Sequence, residues 1–143
     1  MRLTMRTNLA MRVLMFCAVN PGRTVRKQDI AASCNASENH LAQVIHLLAQ
    51  KAFLTTVRGR GGGLRLAVPA EAISVGAVFR ALEATLPFAE CFAEGNTCPL
   101  VGACRLRCTL GTALEAFYGA LDTVTLRNLV DENADLDRLL KVA

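Results

Sequence analysis

The sequence predicts a mainly α-helical fold with a winged helix-turn-helix in its first half. Two observations lead to this class. Three segments with helical apolar spacing precede two short alternating segments around a glycine-rich turn, all within residues 1–70. Those residues hold ten Lys or Arg and two acids, a net +8, whereas residues 71–143 hold six basic and ten acidic side chains, a net −4. One basic half is typical of a chain that meets a polyanion.

The first predicted helix starts with Thr7 as its N-cap and stops near Asn20-Pro21-Gly22, which are turn-forming residues. Its apolar face is expected to include Leu9, Ala10, Val13, Leu14, Cys17 and Ala18.

A short second helix is predicted to end around Cys34-Asn35, and a third to run from an N-cap at Ser37 to about Lys51. Residues 54–68 then predict a β-hairpin with a flexible basic tip, which Pro69 ends.

The second half predicts a helix over 74–84 with Ser74 as its N-cap. A loop with four of the six cysteines comes next, and the helical pattern returns from about Cys104 to Ala120. A final helix is expected over Leu126 to Glu132.

Three helices and then a hairpin is the order of a winged helix-turn-helix, in which the third helix enters the DNA major groove. We therefore predict that residues 1–70 form a DNA-binding domain. Asn and Gln can pair with adenine, Glu can accept from cytosine, and Arg among glycines suits the backbone or a narrow minor groove. The candidate DNA-contacting residues are Arg26, Lys27, Ser37, Glu38, Asn39, His40, Gln43, Arg58 and Arg60.

The sequence favours a cytoplasmic protein that is not an enzyme. Arginines interrupt the apolar pattern at the start of the chain, unlike a signal peptide, and no apolar run is long enough to span a membrane. No catalytic Cys-His-Asn or Ser-His-Asp pattern occurs, and RGRGGG lacks the Lys-Ser/Thr of a phosphate-binding loop. In a reducing compartment, clustered cysteines favour a metal site over disulfides.

The stretch CFAEGNTCPLVGACRLRC holds Cys91, Cys98, Cys104 and Cys108 with six, five and three residues between them. Structural zinc favours close Cys pairs, and only the last two are that close. The wider gaps fit an iron–sulfur cluster better, although zinc stays an alternative. Cys17 and Cys34 are expected to be small core residues.

These motifs together resemble the iron–sulfur winged-helix transcriptional repressors that include IscR, NsrR and RirA. The similarity covers nearly the whole chain. It is carried by MRLT and TNLAMRVLM in the first helix, VRGRGGGLRL in the wing, ECF…CPLVGACRLR in the loop, and AFYGALDTVTLRNLV. The last stretch resembles their dimerisation helix and the segment after it, so the resemblance implies a homodimer with residues 71–143 as its cluster-binding and dimerisation part.

The resemblance implies an iron–sulfur cluster, 4Fe–4S or 2Fe–2S, held by Cys91, Cys98 and Cys104. IscR carries a histidine shortly after its third cysteine, but no histidine follows Cys104 in this chain. Two candidates for the fourth ligand remain: Cys108, which is one helical turn from Cys104, and Asn8 of the partner subunit, where NsrR proteins often carry an aspartate. Cys108 could equally pack under the loop as a bystander.

The nearest match is the nitric-oxide-sensing NsrR type, which implies a repressor that leaves a palindromic operator when its cluster is destroyed. Two alternatives are an iron-responsive repressor of the RirA type and a zinc-stabilised DNA-binding module without a sensing role.

Overall fold

A computed structural model of the chain describes residues 3–143; Met1 and Arg2 of the MRLT motif lie outside this range. The described part contains a two-stranded sheet and a set of helices, together with short 3₁₀ turns at Ala70–Ala72 and Glu90–Phe92. In chain order, the elements are α1 (Met5–Val19), α2 (Lys27–Cys34), α3 (Glu38–Gln50), β1 (Leu54–Val57), β2 (Gly63–Leu66), α4 (Val75–Glu83), α5 (Arg105–Asp122), α6 (Leu126–Val130) and α7 (Ala134–Leu140).

Helix α1 is the central helix of the core, and it begins three residues earlier than predicted. Thr4 has the extended backbone of an N-cap, and its hydroxyl accepts the Thr7 N–H at 3.2 Å. The prediction that Thr7 caps the helix is wrong, because Thr7 is fully buried inside the first turn. Cys17 is buried in α1 as predicted, and the helix ends at Val19 with Asn20 as its C-cap.

Helices α2 and α3 form the predicted helix-turn-helix. Asn35 ends α2 in the left-handed conformation, which an asparagine tolerates better than most residues. Ser37 caps α3 as predicted, with its hydroxyl accepting the His40 N–H at 3.2 Å. Ile30 and Leu41 are fully buried between these helices and the rest of the core.

Strands β1 and β2 form the wing as an antiparallel pair, with Leu54 opposite Leu66 and Val57 opposite Gly63. Val25, just before α2, adds one bridge to Leu64 and ties the wing to the helix-turn-helix. At Gly63 a side chain would collide with the Val25 carbonyl, so this close approach requires glycine.

Helix α4 begins after its predicted cap, since Ser74 accepts the Ala77 N–H at 2.9 Å. It packs against both α1 and α5. The contact with α5 is close at Gly76, where a side chain would collide with Asp122. The fold therefore places α4 between the first helix and the long helix that comes after the cysteine loop.

The C-terminal part differs from the prediction in two ways. Helix α6 ends at Val130 rather than Glu132, because Asp131 has an extended backbone and Glu132 has a positive φ. Helix α7 comes next and was not predicted, since its seven residues are too few to show a helical period. Leu140 of α7 is buried against the same core as α1. The core therefore contains residues from both sides of position 70, including Val78 and Leu126.

Candidate nucleic-acid interface and metal-binding loop

The start of α3 presents exposed polar side chains, as expected of a helix that enters a DNA groove. Glu38, Asn39, His40 and Gln43 are exposed, while Ser37 is partly used as the helix cap. The Glu38 carboxylate forms an ion pair with the Lys27 ammonium at 3.2 Å. Both side chains remain a third to a half exposed, so the pair contributes little stability and can exchange for another partner.

The wing tip and the start of α2 together form a basic cleft of about 570 Å³. Arg26 and Lys27 line one side, and Arg60 lies among the tip glycines on the other. Arg58 is also exposed at the tip. The fold thus brings together cations from two separate elements, which is the arrangement that a phosphate backbone would meet.

A second cleft of about 350 Å³ lies between α1 and the start of α3. Arg6 and Asn8 line it from α1, and His40 and Gln43 line it from α3. On the same side of α1, the Arg12 guanidinium donates to the Cys34 carbonyl at 3.1 Å, which fixes α1 against the end of α2. Asn8, a candidate ligand for the partner subunit's cluster, is exposed beside the start of α3 of its own chain.

The six cysteines fall into two groups, and none forms a disulfide. Cys17 and Cys34 are buried. Burial raises the pKa of Cys17 to about 12. Burial also raises the pKa of Cys34, against the opposing charge of Arg12. Both behave as core residues.

The other group lies in the loop between α4 and α5 and at the start of α5. Cys91, Cys98 and Cys104 are half-buried, and Cys108 is exposed. Cys104 is the N-cap of α5, where its sulfur accepts the Arg107 N–H at 3.4 Å. A cap position at a helix N-terminus favours a negatively charged sulfur. Cys108 lies one turn further along α5.

One side chain that the sequence prediction missed joins the two ends of this loop. Arg107 donates from Nε to the Cys91 carbonyl at 3.1 Å, and its guanidinium lies 5.6 Å from the centre of the Phe92 ring. The available signal was its position in CRLR, because the third residue after an N-cap lies beside the cap side chain.

The donor set fits an iron–sulfur cluster in chemistry, because three accessible free thiols lie between α4 and α5 and a fourth, Cys108, lies in the first turn of α5. Within residues 3–143, however, no three Cys, His, Asp or Glu side chains converge closely enough to hold a metal ion. The same segment contains Asn96, whose Oδ1 is buried without a hydrogen-bond partner. A buried acceptor without a partner is unfavourable, as expected of a polar group that takes a partner when a ligand binds.

The helix that leads into the cysteine loop contacts the N-terminal half of the chain through Glu83, the last residue of α4. Its Oε1 accepts from the Thr4 N–H at 2.9 Å and from the Thr4 hydroxyl at 2.8 Å. Burial raises the pKa of this carboxyl, but the hydrogen bonds from Thr7 and Thr4 and the charge of Arg6 outweigh that effect and lower it. The first turn of α1 is therefore tied to the helix that leads into the cysteine loop.

A basic wing, an exposed recognition helix and a core shared with the C-terminal helices define a DNA-binding transcriptional regulator of the winged-helix class. Residues 3–132 match the Rrf2 family model, which is described as an iron-dependent transcriptional regulator. The chain belongs to the Rrf2 family of transcriptional regulators, as the resemblance of its motifs implied.

Individual relatives agree with this assignment. The chain is 44% identical over 143 residues to the HTH-type transcriptional regulator NsrR of Geobacillus kaustophilus, covering 99% of this chain and 97% of that protein. It is 41% identical over 144 residues to the HTH-type transcriptional regulator NsrR of Bacillus subtilis, covering 99% of both. Among solved structures, Staphylococcus aureus CymR in its oxidized form matches with a TM-score of 0.71 at 25% identity, covering 92% of this chain and 97% of that one.

These comparisons confirm the predicted fold class and the prediction that the chain is a regulator rather than an enzyme. Across the described residues, no helix is long and apolar enough to cross a membrane.

Proposed function

We propose that this protein is a homodimeric transcriptional repressor whose operator binding is controlled by an iron–sulfur cluster that senses nitric oxide. One observation carries the proposal: a segment with three accessible free thiols leads from α4, whose last residue, Glu83, is hydrogen-bonded to the first turn of α1. A change in the loop would thus reach the helix that packs beside the recognition helix. The two relatives named NsrR support the choice of signal.

On the DNA side, Asn39, His40 and Gln43 would read base edges from α3. Arg26, Arg58 and Arg60 would bind phosphates or a minor groove. Ser37 would act mainly as the cap that fixes the angle of α3. Lys27 and Glu38 now form an ion pair with each other. On DNA each would exchange that partner for a DNA group: Lys27 would bind a phosphate and Glu38 would accept from a cytosine amino group.

On the sensor side, Cys91, Cys98 and Cys104 would hold the cluster, and the fourth ligand would come from Cys108 or from Asn8 of the partner subunit. When bound, the cluster would supply the iron with which nitric oxide reacts. The chain's own residues supply the response. Loss of ligation frees the loop, α4 moves with it, and the contact of Glu83 with Thr4 loosens, so that α1 no longer holds α3 at its DNA-binding angle.

Helix α5 supports the homodimer. It has 18 residues, of which only Tyr118 is buried within the chain, and Leu106 is 64% exposed. Its exposed positions include Thr109, Ala113 and Ala116, whose small side chains would let a second helix approach closely. Two crossed copies of α5 would set the spacing of two recognition helices on a palindromic operator.

A second candidate is an iron-responsive repressor, which the description of the family model as iron-dependent favours. The two signals separate in one assay. The iron-responsive repressor is favoured if an iron chelator releases the protein from operator DNA and nitric oxide does not. A third candidate is a zinc-stabilised module that binds DNA without sensing.

Metal analysis of anaerobically purified protein tests the cofactor. We expect iron and acid-labile sulfide, both lost in Cys98→Ala and both retained in the matched variant Cys34→Ala, which removes a buried thiol away from the loop. Stoichiometric zinc without sulfide would instead identify the zinc-stabilised module. Cys108→Ala leaves the visible spectrum unchanged if Asn8 of the partner subunit is the fourth ligand, and changes it if Cys108 is.

A further inference from the structure

We propose that Arg107 is a positioning residue that holds the Cys91 and Cys104 ends of the loop together for cluster binding. This inference rests on the proposed function, because it assigns a role beside the three candidate ligands. It is carried by three contacts of one residue with both ends of the same loop.

The first contact is with Cys104. The Arg107 backbone N–H donates to the Cys104 sulfur at 3.4 Å, which fixes the direction of that thiol at the N-terminus of α5. Hydrogen bonds from backbone N–H groups to cysteine sulfurs stabilise negative charge on the sulfur and tune a bound cluster. This contact depends on the helical backbone and survives a change of side chain.

The second and third contacts use the Arg107 side chain and reach the Cys91 end. Its Nε donates to the Cys91 carbonyl at 3.1 Å, and the guanidinium lies 5.6 Å from the Phe92 ring centre. Phe92 also packs edge-on against Phe88, with ring centres 6.4 Å apart, and lies over α5 beside Gly111. The short 3₁₀ turn Glu90–Phe92 is therefore docked on α5 through one charged side chain and one ring.

The positive charge of Arg107 is a further reason to expect a role beside the cluster. A cluster held by thiolates would be anionic, and the Arg107 guanidinium, which is anchored at the Cys91 end of the loop, carries the opposite charge. The Arg107 side chain is exposed, so these contacts are not forced on it by packing in the core. Arg105, also exposed in the first turn of α5, makes no side-chain hydrogen bond or ion pair among the described residues and provides a matched control.

The first test uses metal-free protein and hydrogen–deuterium exchange. In Arg107→Ala, a peptide spanning residues 89–93 should exchange faster than in the wild type, because the turn loses its anchor on α5. Arg105→Ala should exchange as the wild type does. Equal exchange in Arg107→Ala and Arg105→Ala would overturn the inference, and this result is independent of whether any cluster binds.

The second test uses cluster-loaded protein and the rate of iron loss to a chelator. Arg107→Ala should lose iron about 10-fold faster or more, as is typical when a partner of a metal ligand is removed. Arg107→Lys should be intermediate, since it keeps the charge but loses the planar guanidinium over Phe92. A rate equal to that of Arg105→Ala in a loaded protein would refute the role of Arg107 while leaving the proposed function intact. Wild-type protein that takes up no iron or sulfide would refute the proposed function instead.

Discussion

Cys17 and the loop cysteines differ in what surrounds each thiol. Cys17 lies in the apolar core of α1, where burial disfavours its ionised form. The loop thiols are half-buried or exposed, and the sulfur of Cys104 accepts the Arg107 backbone N–H. Accessibility and charge therefore assign the same residue type to two roles, packing and proposed ligation.

The Cys17 thiol predicts a pH dependence of stability. Burial raises the pKa of the Cys17 thiol from 9.0 to about 12, so the folded state retains this proton to a higher pH than the unfolded chain does. Below pH 9 this group has no effect; between pH 9 and 12 the free energy of unfolding falls as pH rises. We expect urea titrations at pH 8 and 10.5 to show a smaller fall for Cys17→Ala than for the wild type. An equal fall in the free energy of unfolding for the two proteins would contradict a raised pKa for Cys17.

Arg58 at the wing tip predicts a loss of DNA affinity. Arg58→Ala should weaken operator binding by about 1–3 kcal/mol if the side chain makes a specific contact. Arg65→Ala is the matched control, because Arg65 is exposed on β2 of the same hairpin but lines a different cleft, near Glu71 and Arg127. Fluorescence anisotropy with an operator duplex measures both. Equal affinities for the two variants would remove Arg58 from the interface.

At the scale of elements, α1 is held at both of its ends by the C-terminal half of the chain. Its first turn is tied to Glu83 through Thr4. Its C-cap, Asn20, donates to the carbonyls of Phe16 and Leu140 and accepts the Val142 N–H, each at 2.9 Å. Arg23 adds bonds to the carbonyls of Val142 and Ala143. The C-terminal segment therefore braces the turn that leads into the helix-turn-helix.

Asn20 predicts a large effect on stability. Asn20→Ala leaves buried backbone groups of α1 and the C-terminal segment without partners, at about 1–3 kcal/mol for each such group. We expect the free energy of unfolding to fall by about 2–4 kcal/mol in urea titrations. Asn39→Ala, at an exposed position of α3, should stay within about 0.5 kcal/mol of the wild type. If Asn20→Ala changes the free energy of unfolding as little as Asn39→Ala does, the C-terminal segment does not brace α1.

Elements with strong local signals could be predicted from the sequence, and those that depend on distant contacts could not. Ser37 and Ser74 precede clear helical patterns and cap the helices as expected. The cap of α1 was misplaced because Thr4 and Thr7 are both good caps, and only the bond of Thr4 to Glu83, 79 residues away, favours the first. Arg107 was missed for the same reason, since its role depends on Cys91, 16 residues earlier.

At the scale of the whole molecule, the exposed face of α5 predicts a dimer. Wild-type protein should have about twice the 15.4 kDa mass of one chain by light scattering. Ala116→Arg places a long charged side chain on the proposed helix–helix contact and should give monomers. Ala134→Arg, at an exposed site in the first turn of α7, is the control and should remain dimeric. Dimers of Ala116→Arg would show that another surface joins the subunits.

We propose that the chain couples its cysteine loop to a DNA-binding helix through α4 and α1. Anaerobic titration of cluster-loaded protein against an operator duplex, with and without nitric oxide, tests it most directly. We expect tight binding before nitric oxide and at least a 10-fold loss of affinity after it, which corresponds to about 1.4 kcal/mol. Unchanged operator affinity after complete reaction of the cluster would contradict it.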